Sequence, residues 1–263
     1  MYSPLAWAAA GTGFTFFMTA LGAGTVFFFR KSISQRVQRI FLGFAAGVMI
    51  AASVWSLLIP AIEEAEAAGG PGWLPAATGF LLGVVFMMML DYVLPHLHPD
   101  AKQPEGIHSP WRRTTLLVLA VMLHNIPEGM AVGLSFALAA QNSDPGLFSA
   151  AMALAIGIGI QNFPEGAAIS LPLRREGLSA GRSFVYGSLS GAVEFVFGVA
   201  VVLAAGFIQP LMPLLLSFAA GAMMYVVVEE LIPEAKLGEH SNIGTLGVMS
   251  GFLLMMILDV ALG

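Results

Sequence analysis

Runs of about 20 apolar residues follow one another along nearly the whole 263-residue chain. Only 10% of its residues are charged, 57% are hydrophobic, and the mean hydropathy is +0.84. A segment crossing a bilayer must satisfy its backbone hydrogen bonds within itself or within a closed barrel. Uninterrupted apolar runs of this length are therefore helices, and the chain is expected to be an all-α polytopic membrane protein. Eight spans are read: 4–29, 40–59, 73–95, 114–139, 147–172, 184–207, 211–233 and 244–262. They make one integral domain over residues 1–263. The first span is expected to be retained rather than cleaved, because no basic residue precedes it and its basic flank follows it. The chain has no cysteine, which excludes disulfides, iron–sulfur clusters and thiolate metal sites.

With eight spans, all eleven basic residues fall on one side. Arg30, Lys31, Arg36 and Arg39 lie between spans 1 and 2, and Lys102, Arg112 and Arg113 between 3 and 4. Arg174, Arg175 and Arg182 lie between 5 and 6, and Lys236 between 7 and 8. The opposite loops are expected to hold only Glu63, Glu64, Glu66 and Asp144. Basic loops face the cytoplasm, so both termini are expected outside, in a plasma membrane of the bacterial inner-membrane type.

Within this frame a polar motif recurs. His124-Asn125-Ile126-Pro127-Glu128-Gly129 in span 4 returns in span 5 as Gln161-Asn162-Phe163-Pro164-Glu165-Gly166. At about 100° per residue, His124, Asn125 and Glu128 share one arc of a helix, and so do Gln161, Asn162 and Glu165. Each proline lacks an N–H and leaves the carbonyl four residues back unbonded, at Leu123 and Ile160. Other segments repeat as well. Phe44-Ala45-Ala46-Gly47 echoes Phe218-Ala219-Ala220-Gly221, and both runs lead to Leu-Ile-Pro, at Pro60 and Pro233. Met87-Met88-Met89-Leu90-Asp91 echoes Met255-Met256-Ile257-Leu258-Asp259. The paired spans enter from opposite sides. Spans 1–3 and 6–8 are therefore read as inverted repeats around spans 4 and 5, an arrangement used by secondary transporters.

Asp91, Glu128, Glu165, Glu194, Glu229, Glu230 and Asp259 lie in or at the ends of spans that contain no Lys or Arg. Buried carboxylates without cations must take up protons or hold a metal. His124 adds an imidazole, Asn125, Gln161 and Asn162 add neutral oxygens, and Met49 offers a thioether. Such a mixed set suits Zn²⁺ better than Mg²⁺ or Ca²⁺. Ser53, one turn from Met49, offers a hydroxyl. Glu229, Glu230 and Glu234 suggest an accessory cation site, and adjacent Glu229 and Glu230 point about 100° apart. Asp91 and Asp259 occupy matching repeat positions and read either as helix caps or as the lining of an entrance and an exit. His96, His98 and His108, with Asp100 and Glu105, read either as a metal-capturing tract or as solvated loop residues.

The two Pro-Glu-Gly motifs, the Glu194 helix, Ala46-Gly47-Val48-Met49 and the closing Leu258-Asp259-Val260-Ala261-Leu262-Gly263 resemble the ZIP family of divalent-metal transporters, in particular its bacterial GufA-like branch. The resemblance covers essentially the whole chain. It implies eight helices in a 3+2+3 inverted repeat and transport toward the cytoplasm by alternating access. It also implies a binuclear centre. The first ion would take Met49, His124, Glu128, Gln161 and Glu165, and the second Asn125, Glu128, Asn162, Glu165 and Glu194. Members of this branch often have Asp where this chain has Asn162, so the second position lacks an anionic ligand. Zn²⁺ and related ions such as Cd²⁺, Fe²⁺ and Mn²⁺ are expected as transported substrate, with no catalytic cofactor. The expected partners are these ions and the lipid bilayer, with a homodimer suggested by the family and no nucleic acid.

Two other functions compete. An intramembrane zinc hydrolase would activate water between His124 and Glu128, but the His-Glu-x-x-His pattern of metalloproteases has Asn125 in place of its Glu. A proton-coupled carrier of an organic substrate would want aromatic or hydroxyl groups around the motif, where Phe163 alone is offered.

Overall fold

The computed structural model describes residues 3–29, 34–94, 113–205, 209–236 and 242–262. Among these there are eight long helices and no strand. They are α1 (Pro4–Phe27), α2 (Gln35–Ala67), α3 (Trp73–Val93), α4 (Arg113–Asn142), α5 (Pro145–Arg175), α6 (Ala180–Ala205), α7 (Met212–Ala235) and α8 (Ile243–Leu262). All but α4 stand out by length and apolarity as membrane spans. With 30 residues, α4 also exceeds the length needed to cross. His96, His98, His108, Asp100 and Glu105 lie outside the described residues.

The eight expected spans are all present, but α2 is longer than read. It starts at Gln35, where the Ser34 hydroxyl accepts from the Val37 N–H at 3.4 Å, and continues past Pro60 to Ala67. Glu63, Glu64 and Glu66 are therefore on its last turns rather than in a loop. The physical reason is a widened turn. Residues Ser53–Leu58 wind as a π-helix just before Pro60, and Val227–Leu231 do the same just before Pro233. The extra residue per turn accommodates a ring that cannot donate to the carbonyl four residues back. Leu-Ile-Pro thus marks a bulge within the helix, where the sequence suggested its end. Helices α4 and α5 also run through Pro127 and Pro164 without a break.

The repeat is visible in the packing. Helix α2 lies along α8 and α7 along α3, while α5 lies along α1 and α4 along α6. Exchanging the repeats exchanges the members of each comparison. The central contacts, α1 with α6 and α4 with α5, map onto themselves. Lipid provides no hydrophobic drive for helices to associate, so close backbone approach through small residues carries these contacts. Gly79 and Gly83 of α3 sit on the backbone of α7 at Leu214 and Phe218; Gly247 and Gly251 of α8 sit on α2 at Ile40 and Phe44. Inside, Leu57, Phe136, Leu154, Ile158, Met223 and Met255 are fully buried. Leu81, Met89, Val228, Leu246 and Val260 are exposed on the outside, as a surface facing hydrocarbon requires.

Candidate metal centre

The polar layer is built by α4 and α5, which touch side by side, and is walled by α1, α6 and α7. The motif glycines set how closely those walls approach. A Cβ on Gly129 would meet the backbone of α6 at Glu194, and one on Gly166 would meet the backbone of α1 at Thr19. These contacts are equivalent under the repeat, which pairs Thr19 with Glu194 and Thr15 with Ser190. The motif asparagines obey the same symmetry. Asn125 Nδ2 donates to the Ser190 carbonyl at 3.0 Å, and Asn162 Nδ2 reaches the Thr15 carbonyl at 3.5 Å.

The symmetry breaks at the acids. Glu194 is completely buried, and its counterpart Thr19 carries no charge. Asn162 Nδ2 lies 2.8 Å from both oxygens of Glu194. Gln161 Nε2 donates to Glu128 Oε1 at 2.7 Å. An ionised carboxylate only accepts, so each amide must turn its nitrogen to it and its oxygen away. Asn125 Oδ1, Gln161 Oε1 and Asn162 Oδ1 are left buried without a partner, as are Glu128 Oε2 and Glu165 Oε1. That is an unusual concentration of unpaired acceptors, since buried polar atoms are nearly always bonded. No Lys or Arg occurs between residues 114 and 173 to serve them. A cation is the complement that such a set lacks.

His124 and Glu165 are partly open, whereas Asn125, Glu128, Gln161 and Asn162 are sealed. His124 Nε2 reaches out to Glu230 Oε1 of α7 at 2.5 Å. Of the adjacent pair on α7, Glu230 is buried and Glu229 is exposed. Among the described residues no three His, Asp or Glu side chains converge closely enough to hold an ion by themselves. The buried amide oxygens of Asn125, Gln161 and Asn162 lie in the same layer as the acids Glu128 and Glu165. Met49 is buried in the main apolar core, and the Ser53 hydroxyl, at the start of the π-turn, is buried and unpartnered.

Asp91 and Asp259 each accept a bond from a neighbouring helix. The Ser56 hydroxyl donates to Asp259 Oδ1 at 2.6 Å, tying α2 to α8, and Tyr225 donates to Asp91 Oδ2 at 3.3 Å, tying α7 to α3. The sequence reading missed Thr15 and Thr19, whose hydroxyls lie beside Glu194. A signal was available: Thr12, Thr15 and Thr19 form a helical-period stripe on an otherwise apolar segment, and all three are fully buried.

A sequence profile described as "ZIP Zinc transporter" matches residues 100–259. The chain belongs to this family. It is 39% identical to the zinc transporter ZIP11 of Homo sapiens, with 97% of each chain covered. It is 39% identical to the zinc transporter GufA of Myxococcus xanthus, over 93% of this chain and 94% of that one. It is 41% identical to the zinc transporter ZIPB of Bordetella bronchiseptica, over 98% of this chain and 82% of that one. The eight-helix inverted repeat is thus the framework of a ZIP protein, and the paired Pro-Glu-Gly helices are its polar centre.

Proposed function

We propose that the chain carries divalent cations, foremost Zn²⁺, across the membrane toward the cytoplasm through the polar layer of α4 and α5. The observation that carries this reading is the set of unpaired acceptors on Asn125, Glu128, Gln161, Asn162 and Glu165, in a layer without Lys or Arg. The first ion would take His124, Glu128, Gln161 and Glu165, with Met49 as thioether ligand. A nitrogen, oxygens and a sulfur together match a borderline divalent ion. Asn125, Asn162 and Glu194 would line the second position, shared with Glu128 and Glu165. The transport names borne by the relatives favour this over hydrolysis or organic-substrate transport.

Movement would follow the helix grouping. Backbone contacts through glycine occur within the group α1, α4, α5, α6 and within the group α2, α3, α7, α8. Between the groups, Gly157 of α5 meets the flexible side chain of Met255 of α8. Each group can then move as a body over a softer seam, carrying the ion past the barrier. His124 would release its ion by turning to Glu230. The orientation, with termini outside, rests on the one-sided placement of the basic residues. Uptake of radioactive Zn²⁺ into liposomes is the test. His124→Ala and Glu128→Ala should each reduce flux to background while the protein still inserts. Normal flux in a well-folded Glu128→Ala variant would refute the assignment.

A further inference from the structure

Glu194 stands apart from the other two acids of the centre. Glu128 and Glu165 each have a buried oxygen without a partner, and Glu194 has none. Both Glu194 oxygens take the Asn162 amide at 2.8 Å. The Thr15 and Thr19 hydroxyls lie beside the same carboxylate. These hydroxyls bond the Thr12 and Thr15 carbonyls at 3.0 and 3.2 Å, and each can rotate toward Glu194. Glu194 is thus supplied with donors by α5 and α1, while of the three acids only Glu128 and Glu165 keep a buried oxygen without a partner.

We propose that Asn162 is a positioning residue that takes the place of the second ion, so that the centre loads one divalent cation per chain. This rests on the metal-transport reading above. The amide nitrogen lies where an ion bridging toward Glu194 would have to bind, and to admit one it must give up its contact with both oxygens of that carboxylate. Charge acts in the same direction. One divalent ion is balanced by Glu128 and Glu165. A second would bring two more positive charges against a single carboxylate, in a medium that screens poorly. In exchange, Asn162 ties α5 to α6 with no ion present, a brace that an ion could supply only while bound. Thr19, the repeat partner of Glu194, has no charge to brace, and Asn125 at the matching place on α4 donates to the Ser190 carbonyl at 3.0 Å and lies beside Glu165.

The experiment is equilibrium dialysis of Zn²⁺ against the purified full chain in detergent, at one pH and ionic strength. The wild type should hold about one ion per chain at saturation, and Asn162→Asp about two, because it removes the donor and adds a fourth carboxylate. Adding Glu194→Gln to Asn162→Asp should return the count to that of the wild type. A purely structural role for Asn162 would not move the count. Asn162→Ala, which removes the donor without adding charge, is the second variant should Asn162→Asp fail to fold. It leaves Glu194 open and should admit a second, weaker ion near saturation. Two tight ions in the wild type, or a count that neither substitution changes, overturns the inference and leaves zinc transport standing. No bound Zn²⁺ in the wild type overturns both.

Discussion

Gly129→Ala separates local from tertiary control of the centre. In a helix interior Ala is better than Gly by about 1 kcal/mol. By that measure alone, Gly129→Ala in the middle of α4 should stabilise the protein. The tertiary contact opposes this. The new Cβ would overlap the carbonyl oxygen, Cα and carbonyl carbon of Glu194, all of them backbone. No side chain can swing away, so α4 and α6 must separate by on the order of 1 Å to restore normal carbon contact distances. The seam cannot simply pivot, because Gly133 holds the same helices together at Gly198 one turn further on. Overpacking of this kind costs about 1–3 kcal/mol, which meets or exceeds the propensity gain. The shift also displaces Glu128, next in sequence, relative to its 2.7 Å bond with Gln161. Gly13→Ala is the matched control, since its Cβ meets nothing within 4 Å. Thermal unfolding in one detergent, with Zn²⁺ flux in liposomes, reads both effects. Gly13→Ala should be neutral or slightly stabilised with normal flux. Gly129→Ala should be less stable than Gly13→Ala and should transport poorly. If Gly129→Ala matches Gly13→Ala in both, the packing argument is wrong.

Glu230→Gln should free His124 from its competing carboxylate and tighten Zn²⁺ binding by up to about tenfold, equivalent to roughly 1.4 kcal/mol; Glu229→Gln, on the exposed side of the same turn, should leave binding unchanged, and isothermal titration distinguishes them. Ser56→Ala removes the donor to Asp259 and should cost about 1 kcal/mol, within the range for hydrogen bonds between membrane helices. A double-mutant cycle with Asp259→Asn that gives no coupling would dismiss the bond as a stabilising tie. The absence of native cysteine makes topology accessible through Ser3→Cys, Gly69→Cys and Ser241→Cys with an impermeant maleimide. The first two should label from outside intact cells, and labelling of the third with protection of Gly69→Cys would reverse the orientation.

Much of the framework was legible in the residues because its signals are local or periodic. Apolar run length determines that a segment crosses the bilayer, and helical periodicity puts His124, Asn125 and Glu128 on one arc whatever surrounds them. The 3+2+3 repeat could be read from Phe44–Gly47 against Phe218–Gly221 and from Met87–Asp91 against Met255–Asp259, since equivalent environments select similar residues. The end of α2 was misjudged because a proline signal does not distinguish a helix terminus from a π-bulge. That choice depends on whether neighbours hold the following turns, and here α7 packs against residues Ile59–Ala67.

Partnership across helices was beyond the sequence. Nothing near Asn162 indicates that its amide faces Glu194 on α6, and nothing near His124 indicates Glu230 on α7. Glu229 and Glu230 are chemically identical neighbours, yet one is exposed and the other buried, because the rotation of α7 about its axis is set by its seam with α3. Likewise, Gly129 and Gly166 read as helix-weakening residues until α6 and α1 are placed against them. The sequence determined which groups lie at the level of the centre. Packing alone decided which are already satisfied by protein donors and which remain open to a cation, since that depends on distances of a few ångströms between helices remote in the chain.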